Sequence, residues 1–354
     1  MNRFSLQKKS RHWTRRQALW LMAGAAGSFG LHACTPSSTT SSESTSTASN
    51  LTSATFGINA WIGQAPLHIA REKGFFQEAG LDVSARAYGT NLESIPAFLV
   101  GRIEGCTAMP SSEVVSMASQ GGDFRIVGVM DFSSGGDAIL ARNSIGDLQD
   151  FRGKAVAVQR GGLGHFFLLQ VLQDVGLGES DIRIIDSGPE VAAQAYQAGN
   201  VEIAFTYSPY LETANAAQPD GRIIYDTSQK PTAIIDLNLV STEFAQNYPE
   251  ATQAFARGIF RAQEFLESNP DEAHAIVARP LGLQPDEVRE QLQGVEFPNL
   301  QTHLEMVNDS QSELYLLNAL TAMAEFLQEQ GQIVTIPDLS SLIEPQFFAS
   351  LSQS

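Results

Sequence analysis

The residues with chemistry to offer fall where strand-like runs give way to helix-like ones. Trp61 and Gln64 follow an apolar run at 55–60. Ser111 and Ser112 follow one at 105–109. Gly162, Leu163, Gly164 and His165 follow one at 155–158, and Tyr207 and Ser208 follow one at 201–206. In open α/β sheets such turns lie beyond the carboxyl ends of the strands, where ligands bind. Helix starts there present free N–H groups that favour anionic or polar groups. Ser111 and Ser112 also suit the N-cap role, and His165 can serve its own helix start instead of a ligand. Trp61, Phe132 and Tyr207 could sandwich a planar or apolar part of a small molecule. Asp236, in the run at 234–240, either faces a cleft or makes a structural salt bridge. None of these twelve residues is a lysine, which favours an organic molecule over a bare inorganic anion. The set reads as a binding site, with no catalytic residue among its members.

Other chemistries lack their residues. The glycine run at 161–164 lacks the Lys-Ser/Thr of a nucleotide P-loop, so nucleotide hydrolysis is excluded. His68, His165, His274 and His303 are scattered without metal-ligand spacing, so neither a metal nor a cofactor is expected. The formal charge is −17, against the basic patch that nucleic acid requires. The chain has two cysteines, Cys34 and Cys106. Cys106 reads as a small core residue, since Cys34 has another use.

The elements that must position these residues alternate. Strands are expected at 55–60, 81–87, 105–109, 125–130 and 137–141, with helices at 65–76, 92–100 and 111–119 between them. A second unit begins near Asp147, with strands at 155–158, 182–185 and 201–206 and helices at 165–175, 191–198 and 209–217. The run at 234–240 reads as a strand returning to the first unit. The remainder reads as helical, at 249–268, 270–277, 285–293 and 313–330. Alternation with short connections predicts an α/β fold with largely parallel sheets.

The first fifty residues concern location. Six basic residues, from Arg3 to Arg16, precede a small apolar run at 18–33, the layout of a secretory signal. Leu31-His32-Ala33-Cys34 resembles a bacterial lipobox, in which the cysteine becomes the lipid-bearing mature N-terminus. Thr14-Arg15-Arg16-Gln17-Ala18-Leu19 resembles a twin-arginine motif without its Phe-Leu-Lys end, so that route and plain Sec export both stay open. The Ser/Thr tract at 35–53 cannot bury a core and reads as a disordered tether.

Trp61-Ile62-Gly63-Gln64-Ala65-Pro66-Leu67, Lys73-Gly74-Phe75-Phe76 and Gly80-Leu81-Asp82-Val83 together resemble the opening of a known family. That family is the nitrate/sulfonate/taurine/thiamine-precursor class of periplasmic solute-binding proteins of ABC transporters. Asp150-Phe151-Arg152-Gly153-Lys154, Gly199-Asn200-Val201-Glu202, Ser208-Pro209-Tyr210, Asn269-Pro270 and Phe347-Phe348 extend the likeness in order over about residues 55–350. The resemblance implies a type II two-lobed periplasmic-binding-protein fold, each lobe a mostly parallel sheet flanked by helices. Lobe 1 would be 54–142 with 235–354, and lobe 2 would be 143–234. The implied function is capture of a small solute in the interlobe cleft and delivery to an ABC permease and ATPase, by a monomer held to the membrane through lipid at Cys34. Two alternatives share the fold: a thiamine-pyrimidine-synthase-like enzyme, whose Cys-rich motif is missing here, and a sensory solute-binding module.

Overall fold

The computed structural model describes residues 51–353 apart from Pro231. The expected signal, Cys34 and most of the expected tether lie outside the described residues. The described residues form one compact unit.

Eleven strands make two sheets among the described residues. The first holds β1 (Thr52–Ile58), β2 (Leu81–Ala87), β3 (Gly105–Pro110), β4 (Phe124–Ser133), β10 (Ile235–Ser241) and β11 (Val295–Glu296), in the order β11-β4-β10-β3-β1-β2. The second holds β5 (Asp137–Arg142), β6 (Ala155–Val158), β7 (Arg183–Asp186), β8 (Ile203–Tyr207) and β9 (Gly221–Asp226), in the order β7-β6-β8-β5-β9. The chain passes between sheets after β4 and returns before β10, so two crossings join the halves, called lobe 1 and lobe 2 below; β5 pairs with β8 and β9 and so lies in the second sheet, although the expected lobe 1 ran to 142. Parallel pairing holds for β1 with β2 and β3, and for β6 with β7 and β8. Every antiparallel pair involves β4, β5 or β10, the strands that adjoin the crossings. The sheets are therefore mixed: a chain that leaves one sheet and comes back must run those strands against the rest.

In lobe 1 the helices between strands are α1 (Ala65–Glu72), α2 (Phe75–Glu78), α3 (Asn91–Leu99) and α4 (Ser111–Ser119). Lobe 2 carries α5 (Leu163–Asp174), α6 (Pro189–Gln197) and α7 (Tyr210–Ala217). After β10 come α8 (Thr242–Asn247), α9 (Pro249–Ser268), α10 (Pro270–Leu281), α11 (Pro285–Gln291), α12 (Leu300–Asn308), α13 (Leu316–Glu329) and α14 (Pro345–Ala349). The single helix expected over 65–76 is two, because Gly74 takes φ 75° and its left-handed backbone ends the first turn series. The first strand begins at Thr52, inside the polar tract expected to run to 53. Its backbone pairs with β2 from Thr52↔Leu81 onward, and ladder bonds need no apolar side chain. The α12 helix and the two-residue β11 were not expected. No helix of the described residues is long and apolar enough to cross a membrane.

Lobe 1 is packed by aromatic stacking behind its sheet. Phe56 on β1 lies flat on Phe255 of α9 at 4.0 Å, and Phe76 stacks near Phe255 at 5.7 Å. In lobe 2, Phe167 of α5 meets Phe205 of β8 and Tyr225 of β9 at about 6 Å. These buried rings fix the two frames on which the facing loops are mounted.

Candidate functional site

The loops at the strand ends of lobe 1 meet those of lobe 2, and hydrogen bonds cross between them. The backbone N–H of Leu163, at the start of α5, donates to Glu113 Oε1 on α4 at 2.9 Å. Gln159 Nε2 donates to Thr90 Oγ1 at 3.3 Å, and Asn59 Nδ2 donates to Tyr207 Oη at 3.3 Å. The Ile62 N–H donates to the Ser208 carbonyl at 3.3 Å. Between them lies a space of about 10 Å³, lined by Thr90, Asn91 and Glu113 on one side and Gln159, Leu163 and Tyr207 on the other. That is about the room one water needs. The cleft is thus closed, with polar groups of both lobes against each other.

Trp61 sits at the inner end of this cleft. Its ring meets Tyr207 edge-on at 5.8 Å, and Tyr207 in turn meets Tyr210 at 5.9 Å. Its indole Nε1–H points at Asp131, 3.3 Å from both carboxylate oxygens. Two glycines make room for it. A Cβ on Gly63 would lie 2.1 Å from Trp61 Nε1, and one on Gly136 would lie 2.5 Å from its Cη2.

Around this point four carboxyl groups converge. Glu113 stands in the first turn of α4, Asp131 near the end of β4, Asp137 at the start of β5 and Asp236 near the start of β10. Asp131 and Asp236 are cross-strand partners and share a hydrogen bond. All four are at most 3% exposed. Burial is the leading cause that pushes Glu113 up to about 7, against hydrogen bonds from Ser112 and Leu163. It pushes Asp131 up to about 8, the Trp61 N–H opposing and the Asp137 charge adding to it. Asp137 rises to about 7 from burial and then the field of Glu113. Asp236 is held well above the usual carboxylate range by burial and by Asp131, Asp137 and Glu113. None of the four takes part in an ion pair among the described residues.

The residues singled out in the sequence divide by position. Trp61, Leu163, Gly164, Tyr207 and Asp236 surround the cleft or the acidic cluster. Ser112 reaches it through its neighbour, donating to Glu113 Oε2 at 2.5 Å. Gln64 is fully buried, and its three polar contacts are used: Nε2 donates to Asn59 Oδ1 and the Thr107 carbonyl, and Oε1 accepts from the Thr107 hydroxyl. It positions Asn59. Ser208 closes the inner end through its backbone while its hydroxyl donates to Glu212 at 2.5 Å. Gly162 is the N-cap of α5, and a Cβ there would have no neighbour closer than 3.3 Å. Gly164 is the tight position, where a Cβ would fall 2.1 Å from the Phe205 ring. His165 faces away: its Nδ1 accepts from the Gly161 N–H at 3.2 Å and its Nε2 meets Glu179 at 3.1 Å. Ser111 lines a separate cavity beside Ala319 and Met323 of α13. Phe132 lines a groove of about 320 Å³ with Phe297 and Pro298, because successive strand residues point to opposite faces and Asp131 takes the inner one. Asp236 has no salt bridge among the described residues.

Sequence reasoning missed Asn59, Thr90, Asn91, Glu113, Asp131 and Asp137. Asp131 had a signal: it interrupts an apolar run at an expected strand end. Ala108 on β3 takes φ 47°, a strained value for a residue with a side chain.

Comparison with known proteins decides the family. The model for the NMT1/THI5-like family matches residues 61–273. The chain belongs to the NMT1/THI5-like family. The taurine-binding periplasmic protein of Escherichia coli (strain K12) is 24% identical over 295 residues, covering 80% of this chain and 89% of that protein. Among solved structures, the alkanesulfonate-binding protein SsuA from Xanthomonas axonopodis pv. citri, bound to MOPS, superposes with a TM-score of 0.68 at 19% identity, over 82% of this chain and 98% of that one. The desulfurization enzyme DSZB superposes with a TM-score of 0.64 at 16% identity, over 85% and 99%. This NMT1/THI5-like chain therefore has the two-lobed fold of the periplasmic solute-binding proteins, a fold that an enzyme also uses.

Proposed function

We propose that this protein is the extracytoplasmic solute receptor of an ABC importer and that its ligand is a small organic molecule held between the lobes at Trp61 and Tyr207. The observation that carries the reading is the meeting of buried polar groups from both lobes beside the two crossings, where a hinge motion would open and shut them. The names of the relatives support the class. The enzyme reading is weaker. Cys106 is the one cysteine among the described residues; it is buried against Ser94, and burial pushes its thiol up to about 12. A catalytic cysteine needs an accessible thiolate.

The receptor would be exported by its N-terminal signal, lipidated at Cys34 and tethered through the Ser/Thr tract. It would act as a monomer with a permease and an ATPase as partners. Solution scattering tests the closure: the profile of the full-length protein with saturating solute should match the closed lobes of this structure, and a more extended profile would refute closure on ligand. Metabolic labelling tests the anchor: an alkyne fatty acid should mark the wild type, and Cys34→Ser should lose both label and membrane association. Membrane attachment that persists in Cys34→Ser would refute it.

A further inference from the structure

We infer that Gln64 and Asn59 set which kind of atom the solute presents to Tyr207: a hydrogen-bond acceptor, such as a carbonyl, carboxylate or sulfonyl oxygen, and not a donor. The inference rests on the reading of the cleft as the solute site and names the residues that fix its polarity.

The relay begins at a group whose polarity cannot change. The Thr107 carbonyl on β3 can only accept. Gln64 turns its Nε2 toward that carbonyl and donates at 3.1 Å. Its Oε1 is then left for the Thr107 hydroxyl, which donates to it at 2.6 Å. The second N–H of the same Nε2 goes to Asn59 Oδ1 at 3.3 Å. Turning the Gln64 amide over would set oxygen against oxygen at the carbonyl, so chemistry fixes which end is which. With its oxygen engaged, Asn59 has only Nδ2 to offer lobe 2, and it donates to Tyr207 Oη at 3.3 Å. Gln64 and Thr107 are fully buried and Asn59 is 4% exposed, so bulk water does not reach this chain of contacts.

Tyr207 is therefore an acceptor toward lobe 1, and its own proton is the free end of the relay. A phenol has one O–H to give. Among the described residues the Tyr207 hydroxyl gives it to no acceptor. Asp137 and Asp236 act on Tyr207 through their fields, yet neither makes a hydrogen bond with its hydroxyl. The side chain is 2% exposed, and a buried donor without a partner is costly. Tyr207 lines the space of about 10 Å³ between the lobes, where a partner from outside the chain reaches it. Water can serve there because it both donates and accepts. A solute atom that replaces water at Tyr207 must accept.

The setting persists as the cleft opens. Rotation about the crossings moves a group in proportion to its distance from them. Tyr207 is the cross-strand partner of Asp137, where β5 begins after the outgoing crossing, and the Ser208 N–H donates to the Gly136 carbonyl at 3.0 Å. Asn59 directly follows β1, and nearby the Ile62 N–H donates to the Ser208 carbonyl at 3.3 Å. The Asn59–Tyr207 pair thus sits at the root of the hinge, and its contact outlasts the parting of groups nearer the mouth.

Two neutral five-membered rings test the polarity by calorimetry on the full-length protein: sulfolane, which only accepts, and pyrrole, which only donates. The wild type should bind sulfolane about tenfold more tightly than pyrrole, the upper end of what one neutral hydrogen bond contributes. Tyr207→Phe should remove that preference. Asn59→Leu should remove it too, by freeing the hydroxyl to turn either way, and so should Gln64→Leu, by freeing the Asn59 amide to turn over. Melting temperatures confirm folding; a merely structural role would weaken both probes alike and leave their ratio. Raman difference spectra against Tyr207→Phe read the polarity with no solute present. The intensity ratio of the Tyr207 Fermi doublet rises when the phenol oxygen accepts, so it should fall in Asn59→Leu and in Gln64→Leu. A wild type that prefers pyrrole, or binds neither probe, overturns the acceptor assignment. A preference that Asn59→Leu and Gln64→Leu leave intact, or a doublet they leave unchanged, overturns the relay while the receptor reading stands. A sulfolane preference that survives Tyr207→Phe in folded protein places the probe outside the cleft, and the cleft reading then fails together with the proposal.

Discussion

Glu113→Gln isolates one member of the acidic cluster without changing its shape. In the native cleft the Glu113 carboxyl is pushed from its ordinary 4.5 up to about 7, chiefly by burial. A group whose native pKa is raised contributes stability that is fully present below the unfolded value and is lost as pH rises through the native one. For Glu113 that window runs from about pH 4.5 to about pH 7. Each pKa unit is worth about 1.4 kcal/mol, so this carboxyl withdraws about 3 kcal/mol of stability across the window. Asp131 and Asp137 add their own losses toward pH 8 and pH 7. Glutamine keeps an oxygen for the Leu163 N–H and an amide N–H for the Ser112 oxygen, yet it does not titrate. Urea unfolding of the ligand-free protein at pH 5, 6, 7 and 8 should therefore show stability falling with pH in the wild type. Between pH 5 and pH 7 the slope should be shallower by about 1.4 kcal/mol per pH unit in Glu113→Gln, with similar slopes above pH 7 and the variant the more stable at pH 8. Equal slopes between pH 5 and pH 7 would show that Glu113 is hydrated in the free protein, and that the contact from Leu163 does not hold the lobes together.

Gly164→Val forces a Cβ to within 2.1 Å of the Phe205 ring and should cost about 1–3 kcal/mol by overpacking, whereas Gly162→Ala should melt as the wild type does. Paired thermal melts check both, and equal sensitivity at the two positions would contradict the packing of α5 on β8. Gln64→Leu leaves the Thr107 hydroxyl without its acceptor and Asn59 Oδ1 without its donor, a loss of about 1–3 kcal/mol readable by urea titration. Cys106 should resist a thiol-reactive disulfide reagent in the native protein and react at once in urea, since its thiol is buried and held up to about 12; rapid native reaction would place it at the surface.

The fold was legible because its alternation is local. Apolar runs, glycine stops and helix-starting prolines mark most elements within a few residues, and the α9 limits 249–268 agree with the sequence reading. Failures came where long-range pairing outweighed composition: polar Thr52 and Ser53 join β1 because β2 runs beside them. The candidate site was half legible for the same reason. Strand-to-helix turns announced Trp61, Ser112, Leu163 and Tyr207. The acidic cluster was not announced, since Asp131 and Asp236 face each other only through the register of β4 and β10. Phe132 was grouped with Trp61 and Tyr207 on its aromatic type, but alternation along β4 turns it to the opposite face from Asp131. Residue type told which side chains could bind; register told which of them meet.

Trp61 offers the most direct measurement of the central claim. The other two tryptophans of the chain, Trp13 and Trp20, precede Cys34, so protein processed at that cysteine has Trp61 as its one indole. Its ring lies against Tyr207 and its N–H on Asp131, where the lobes meet. Titration of the processed protein with a solute that binds by calorimetry should change the Trp61 emission saturably, with one site per chain and the same midpoint as the heat. Binding by heat with no change in Trp61 emission would place the solute elsewhere, for instance in the groove beside Phe132, and would contradict a ligand site between the lobes.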